Sequence, residues 1–290
     1  MSQFTLTRLP KSTLKIAITI PWVEVEVEKK KVVSEAAKSA EIKGFRKGQA
    51  PADLVEKSLD PAKINQQILQ SLIPQLYSQA VKELNLKPIM LPQIHLESTE
   101  SAKDWIFHAL TCEAPPVQLN GFKDKLKGHF ASAQIWTPQK QADDQAQPNS
   151  EEDNRQEKLV QLIDWLLKNI DVDPPDLLIE EEANHMLTRL LDQLQQLGLT
   201  VEQYLASKTK TQEQLRVEYA QTSRDNLKLE LILNAIASDQ NLQISQEELQ
   251  KWIDSADPAT KDTLTKPQSQ ASLKTVLLRR KTLDFLLTLT

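Results

Sequence analysis

The sequence predicts an α+β N-terminal domain, with helices on a small antiparallel sheet, followed by an all-α helical domain. Three observations predict it. The chain has 290 residues, long for one compact core and comfortable for two. Its first part reads in the order strand, helices, strand, strand. Beyond a polar stretch the apolar periodicity is helical to the end, and a composition with five glycines and 5% aromatics favours helices over strand-and-turn architecture.

The first strand is expected over Ser12–Ile20, where Leu14, Ile16, Ile18 and Ile20 alternate with smaller or polar residues. The next stretch is ambiguous. Val23, Val25 and Val27 alternate with glutamates, while Val25, Val32, Val33, Ala36 and Ala40 form a helical stripe. Helix is preferred because Pro21 suits the first helical position, the glutamates suit the positive end of the helix dipole, and Gly44 supplies a stop. After the segment GFRKGQAP a long helix is expected from Asp60-Pro61, with Ile64, Ile68, Leu72, Leu76 and Ala80 at four-residue intervals. Pro74 removes a backbone donor, so this helix should kink or split. The segments PIMLPQIHLES and DWIFHALTCEA then read as two strands.

From Pro138 to Gln156 the only apolar residues are alanines, and this stretch reads as linker. The division implied is 1–127, a linker over 128–156, and 157–290. Helix starts follow in series: Asp173 before Pro174 as a cap and first-position proline, then Thr200 with Gln203, Thr211 with Gln214, and Ser245 with Glu248 at capping-box spacing. The stripes between them include Met186, Leu187, Leu190, Leu191, Leu194 and Leu197, and Leu227, Leu229, Leu231, Ile232, Leu233 and Ile236.

Charge is uneven along the chain. Residues 1–130 carry 18 Lys/Arg against 14 Asp/Glu, a balance of +4; residues 131–290 carry 17 against 26, a balance of −9. The first part tolerates a polyanion and the second is repelled by one. No apolar run is long enough to span a bilayer or to form a signal peptide, so no membrane partner is expected and the default location is the cytoplasm. Cys112, the single cysteine, reads as a buried, inert thiol.

Catalytic and cofactor signatures are lacking. The four histidines, at 95, 108, 129 and 185, never take metal-ligand spacing, so a structural or surface role is expected for each. Neither a GxxxxGK[ST] loop nor a GxGxxG is present to hold a nucleotide, and no GxSxG marks a nucleophile. Glu180, Glu181 and Glu182 read as a solvated face near a helix start. The reading is therefore no enzyme, no metal and no cofactor.

The informative segment is Gly44-Phe45-Arg46-Lys47-Gly48, where two of the five glycines bracket an aromatic and two cations before Pro51. A tight turn is implied. A helix–loop–helix turn with a basic tip accounts for Arg46 and Lys47, but a turn tip gains nothing from an exposed Phe45. Presented together, the three side chains suit stacking or apolar contact plus phosphate contact on structured RNA or an adjoining protein.

GFRKGQAP resembles the ribosome-docking signature of bacterial trigger factors, whose pattern is Gly-Phe-Arg-x-Gly-Lys-x-Pro; Gln49 stands where a second lysine is common. CEAPPVQLNGFKD is similar to that family's domain exit. LVQLIDWLLKNIDVDPPDLLIEEEANHMLTRLL resembles the opening of its chaperone domain, and LKLELILNAIASDQNLQISQEELQKWI a later helix pair. The resemblance implies a ribosome-binding domain carrying Gly44, Phe45, Arg46, Lys47 and Gly48, joined to a helical chaperone domain. Its expected partners are the large ribosomal subunit near the nascent-chain exit and unfolded or nascent polypeptides, held without ATP. A homodimer is kept as a further partner. The family's prolyl-isomerase domain, inserted between the two parts, has no room here: only about Gly128–Gln156 is available, with Phe130 and Trp136 as its aromatics. The alternative reading is a ribosome- or RNA-binding assembly factor that uses the same loop and holds no clients.

Overall fold

The structure is a computed structural model describing residues 2–39, 45, 51–100, 102–133, 151–257, 261 and 264–290. The chain forms two units, 1–114 and 115–290. The first contains a four-stranded antiparallel sheet in the order β1-β2-β4-β3, from Gln3–Arg8 (β1), Thr13–Ile20 (β2), Gln93–Ser98 (β3) and Trp105–Cys112 (β4). Strand β1 is additional to the sequence reading. Phe4 and Leu6 alternate with Thr5 and Thr7, but the turn into β2 hides the hairpin. Lys11 and Ser12 both take positive φ (55° and 54°), and the Thr13 amide donates to the Pro10 carbonyl. This is type I′ geometry, which usually announces itself as Asn-Gly.

Three helices accompany the sheet, Trp22–Ser39 (α1), Ala52–Ser58 (α2) and Pro61–Glu83 (α3); α1 and α3 join its core, and α2 packs on α1. The core joins Leu14, Ile16, Ile18 and Ile20 of β2 with Trp105, Phe107 and Ala109 of β4 and with Val25, Val32, Val33, Ile64 and Ile68 of the helices. Helix α1 bears out the helical choice over Trp22–Ser39, but Pro21 precedes the helix instead of opening it, its carbonyl accepting from the Glu24 and Val25 amides, and the expected Ala40 and the Gly44 stop lie outside the described residues. Helix α3 is capped by Asp60, whose carboxylate accepts from the Ala62 amide at 2.9 Å, and it runs unbroken through Pro74 instead of splitting. Ile64 and Ile68 before the proline, and Leu76 and Ala80 after it, are buried in the same core, which anchors both halves.

The second unit is helical: Phe122–Ala133 (α4), Glu151–Asn169 (α5), Asp176–Gln196 (α6), Val201–Lys208 (α7), Gln212–Asp239 (α8), Gln246–Ser255 (α9) and Pro267–Leu287 (α10). Here the expected linker shrinks. Gly128–Ala133 belongs to α4, because Phe122, Leu126 and Phe130 at four-residue spacing bury against Leu162, Trp165 and Leu166 of α5. Glu151–Gln156 is the first part of α5. The remainder, 134–150, lies outside the described residues.

The three capping boxes are present with both reciprocal bonds at Thr200/Gln203, Thr211/Gln214 and Ser245/Glu248. The fourth start is corrected. Helix α6 begins at Asp176 after Pro175, which makes no side-chain cap. Pro174 cannot be helical because the following Pro175 forces it toward extended backbone. Asp173 and Asp176 instead lie near Arg224 of α8, at 3.9 and 3.6 Å.

Candidate functional site

Of the five residues singled out for the basic loop, the structure describes Phe45; Gly44, Arg46, Lys47 and Gly48 lie outside the described residues. Phe45 stands between the described ends of α1 and α2 and is 44% exposed. Nearly half of this large aromatic stays open to water, so part of its apolar surface adds nothing to folding.

The loop's flanks are firmly held. Val32 and Val33 of α1 and Val55 of α2 are buried, and Lys29 of α1 pairs with Glu56 of α2 at 2.6 Å. Deeper along α1, the nearly buried Glu28 accepts from Ser71 of α3 at 2.6 Å and from Lys31 at 2.8 Å. These donors hold its carboxyl below the usual carboxylate range, the Lys31 bond contributing most. Lys30 pairs with Glu26 at 3.1 Å. The Lys29–Lys31 run therefore spends its charge on carboxylates within the unit.

The other motifs resolve as structure. His108 lies 2.7 Å from Glu97 across the β4–β3 pair, His129 packs edge-on to Phe130, and His185 is 3.9 Å from Glu181. No group of three or more His, Cys, Asp or Glu among the described residues is arranged to hold a metal. Cys112 is buried. Of the glutamate triple, Glu180 is exposed while Glu181 and Glu182 are only partly so, and Glu182 lines a cleft with Glu230 and Arg279. No helix among the described residues is long and apolar enough to cross a membrane.

The helical unit shows what periodicity could not separate. Within one stripe of α6, Leu190 and Leu194 are buried, whereas Leu191 is exposed, as is Leu197 just past the helix end. Leu199 and Val217 join them in solvent around a small cluster built on Leu190, Leu194, Leu205 and Leu215. A second small cluster, Ile244, Leu249, Ile253 and Leu277, has Trp252 and Val276 exposed on the same helices, α9 and α10. Arg280 stacks over Trp252 at 5.2 Å.

These features define a class: an α+β platform bearing an aromatic loop, continuous in the chain with a helical unit that keeps large apolar side chains in water. Comparison identifies the family. The bacterial trigger factor protein model matches residues 2–136 and the bacterial trigger factor C-terminus model matches 139–288, so the chain belongs to the trigger factor family. Only residues 137 and 138 separate the two matches; no isomerase domain stands between them.

Among curated relatives, the trigger factor of Ligilactobacillus salivarius is 39% identical over 87 residues, 30% of this chain and 20% of that protein. That of Streptococcus pneumoniae strain Hungary19A-6 is 30% identical over 109 residues, 38% and 26% of the two chains. The matched stretches thus span about a quarter or less of these relatives' lengths. A solved structure described as "Promiscuous Substrate Recognition in Folding and Assembly Activities of the Trigger Factor Chaperone" superposes with a TM-score of 0.65 at 14% identity, covering 98% of this chain and 99% of that one, which supports the fold.

Proposed function

We propose that this protein docks on the ribosome through Gly44–Gly48 and shields nascent or unfolded polypeptides from aggregation without ATP, acting as a chaperone and not as an isomerase. The observation that carries docking is Phe45, an aromatic held in solvent between two well-anchored helices within the family's docking signature. Client holding is supported by Leu191, Leu197, Leu199 and Val217, exposed beside a small core where they can adapt to different sequences. The acidic balance of the second half disfavours contact with ribosomal RNA and leaves docking to the first. The cytoplasm is the compartment this activity requires.

Replacing Phe45, Arg46 and Lys47 together by alanine tests the docking reading. Loss of such an anchor cluster costs about 2 kcal/mol or more, a weakening of well over tenfold. Surface truncations shift stability by no more than about 0.5 kcal/mol each. The variant should therefore fail to co-sediment with ribosomes while melting normally and still suppressing aggregation of a denatured protein. Equal co-sedimentation makes the loop a plain turn. Co-sedimentation by a wild type that suppresses no aggregation indicates an assembly factor. Proline-limited refolding should keep its uncatalysed time of roughly tens of seconds in the presence of the protein.

A further inference from the structure

The sheet of the first unit has two edges, and they are finished differently. At the β1 edge, Phe4 lies opposite Ile18 and Leu6 opposite Ile16, and both β1 side chains pack on the core. At the β3 edge, Leu96 lies opposite the fully buried Phe107 and so faces the same core side of the sheet, yet it is 51% exposed. Along the margin of its buried face, α3 presents Asn65, Leu69 and Ile73, spaced by four residues and only partly buried, with Leu69 and Ile73 also touching the core. An open groove of about 610 Å³ runs between these residues and Leu96. Its volume falls within the range of ligand-binding clefts. None of its lining residues is charged; they are apolar side chains, amides and Thr99. Glu97 and His95, the charged and titratable neighbours on β3, alternate to the opposite face.

Strand β3 also pairs on one side only, with β4, among the described residues. Its other side offers backbone N–H and C=O groups without strand partners. The register shifts between Leu96 and Ser98, so Gln93–Leu96 is the regular part of this template. An added strand there satisfies those groups and lays alternate side chains over the groove.

We propose that the β3 edge and the α3–Leu96 groove together take an extended, uncharged polypeptide segment with apolar residues at alternate positions, bound as a fifth strand. This rests on the client-holding reading and gives the first unit its own client contact. Main-chain bonds give breadth, since every sequence without proline supplies them; the groove selects for apolar side chains.

The test uses the full chain and a capped seven-residue peptide alternating threonine with valine or leucine, alongside the same peptide N-methylated at alternate amides. The N-methylated form keeps the side chains and loses the strand hydrogen bonds. The proposal expects the parent peptide to slow amide exchange of Gln93–Leu96 at least tenfold, the N-methylated form to bind at least tenfold weaker, and Leu96→Lys to weaken the parent peptide similarly with an unchanged melt. Equal binding of both peptides overturns it, because side chains alone then suffice. Concentration-dependent protection of β3 without peptide also overturns it, by assigning the edge to a second copy. An unprotected β3 in a protein that still suppresses aggregation overturns this inference and leaves the proposed function standing. Failure of aggregation suppression itself removes the client reading separately.

Discussion

The sheet unit gathers most of its buried apolar side chains into one cluster, chiefly from β2, β4, α1 and α3, whereas the helical unit distributes most of its own over three. In the first, a strand from each side and two helices cover the same residues, so Ile16, Ile18, Ile68 and Phe107 lose all contact with water. In the second, α4, α5, α8 and α10 make one comparable core around Leu126, Leu162, Leu166 and Ile236, while α7 and α9 each close a cluster of a few residues. Small clusters cannot enclose every apolar residue that a helix stripe supplies. The difference is one of coverage: the sheet unit buries its apolar faces in common, and the helical unit leaves Leu191, Leu197, Leu199 and Val217 in water beside its small clusters, where local opening is expected to cost least.

The largest expected effect tests that contrast directly. Phe107→Ala removes a wholly buried ring from the single core and should cost about 3–5 kcal/mol, measured as a lowered denaturation midpoint. Leu205→Ala, in the α6–α7–α8 cluster, should cost nearer about 2 kcal/mol. Its loss should appear as faster amide exchange confined to α7 and the neighbouring ends of α6 and α8. If both substitutions lower the midpoint equally and speed exchange everywhere, the units do not differ as described.

Glu28 sharpens the account of the platform. Glu28→Ala leaves Ser71 and Lys31 without their acceptor and should cost about 1–3 kcal/mol. Because its partners depress the folded carboxyl's pKa, its contribution is complete above the ordinary carboxylate range and is lost as pH falls through the lowered folded value. Melts from pH 6 down to pH 3 should show wild type losing stability that Glu28→Gln does not lose over the same interval. Parallel curves would detach Glu28 from the hold between α1 and α3.

The smallest effect concerns helix ends. Thr211→Ala removes the acceptor for the Gln214 amide at the start of α8 and should cost about 1 kcal/mol, seen as fraying of the first turn by amide exchange. No change would mean that packing of Leu215 alone sets where α8 begins.

What the sequence determined by itself was everything written in neighbouring residues. The alternation of Leu14, Ile16, Ile18 and Ile20 makes a strand with one buried face, and Thr200, Thr211 and Ser245 with their partners three residues on start helices; both work through contacts the local chain makes with itself. Gly44 and Gly48 around Phe45 marked the candidate loop in the same way. Tertiary structure decided matters that depend on distant coverage. It placed β1 through a hairpin turn of Lys11 and Ser12, which carry no usual turn signal. It drew Gly128–Ala133 into a helix because α5 was there to receive Phe130. It left Leu191 and Leu197 in water beside buried Leu190 and Leu194, and Leu96 half-open beside buried Phe107. Periodicity states which face of an element is apolar, but burial is a property of what lies against that face, and no local pattern contains it.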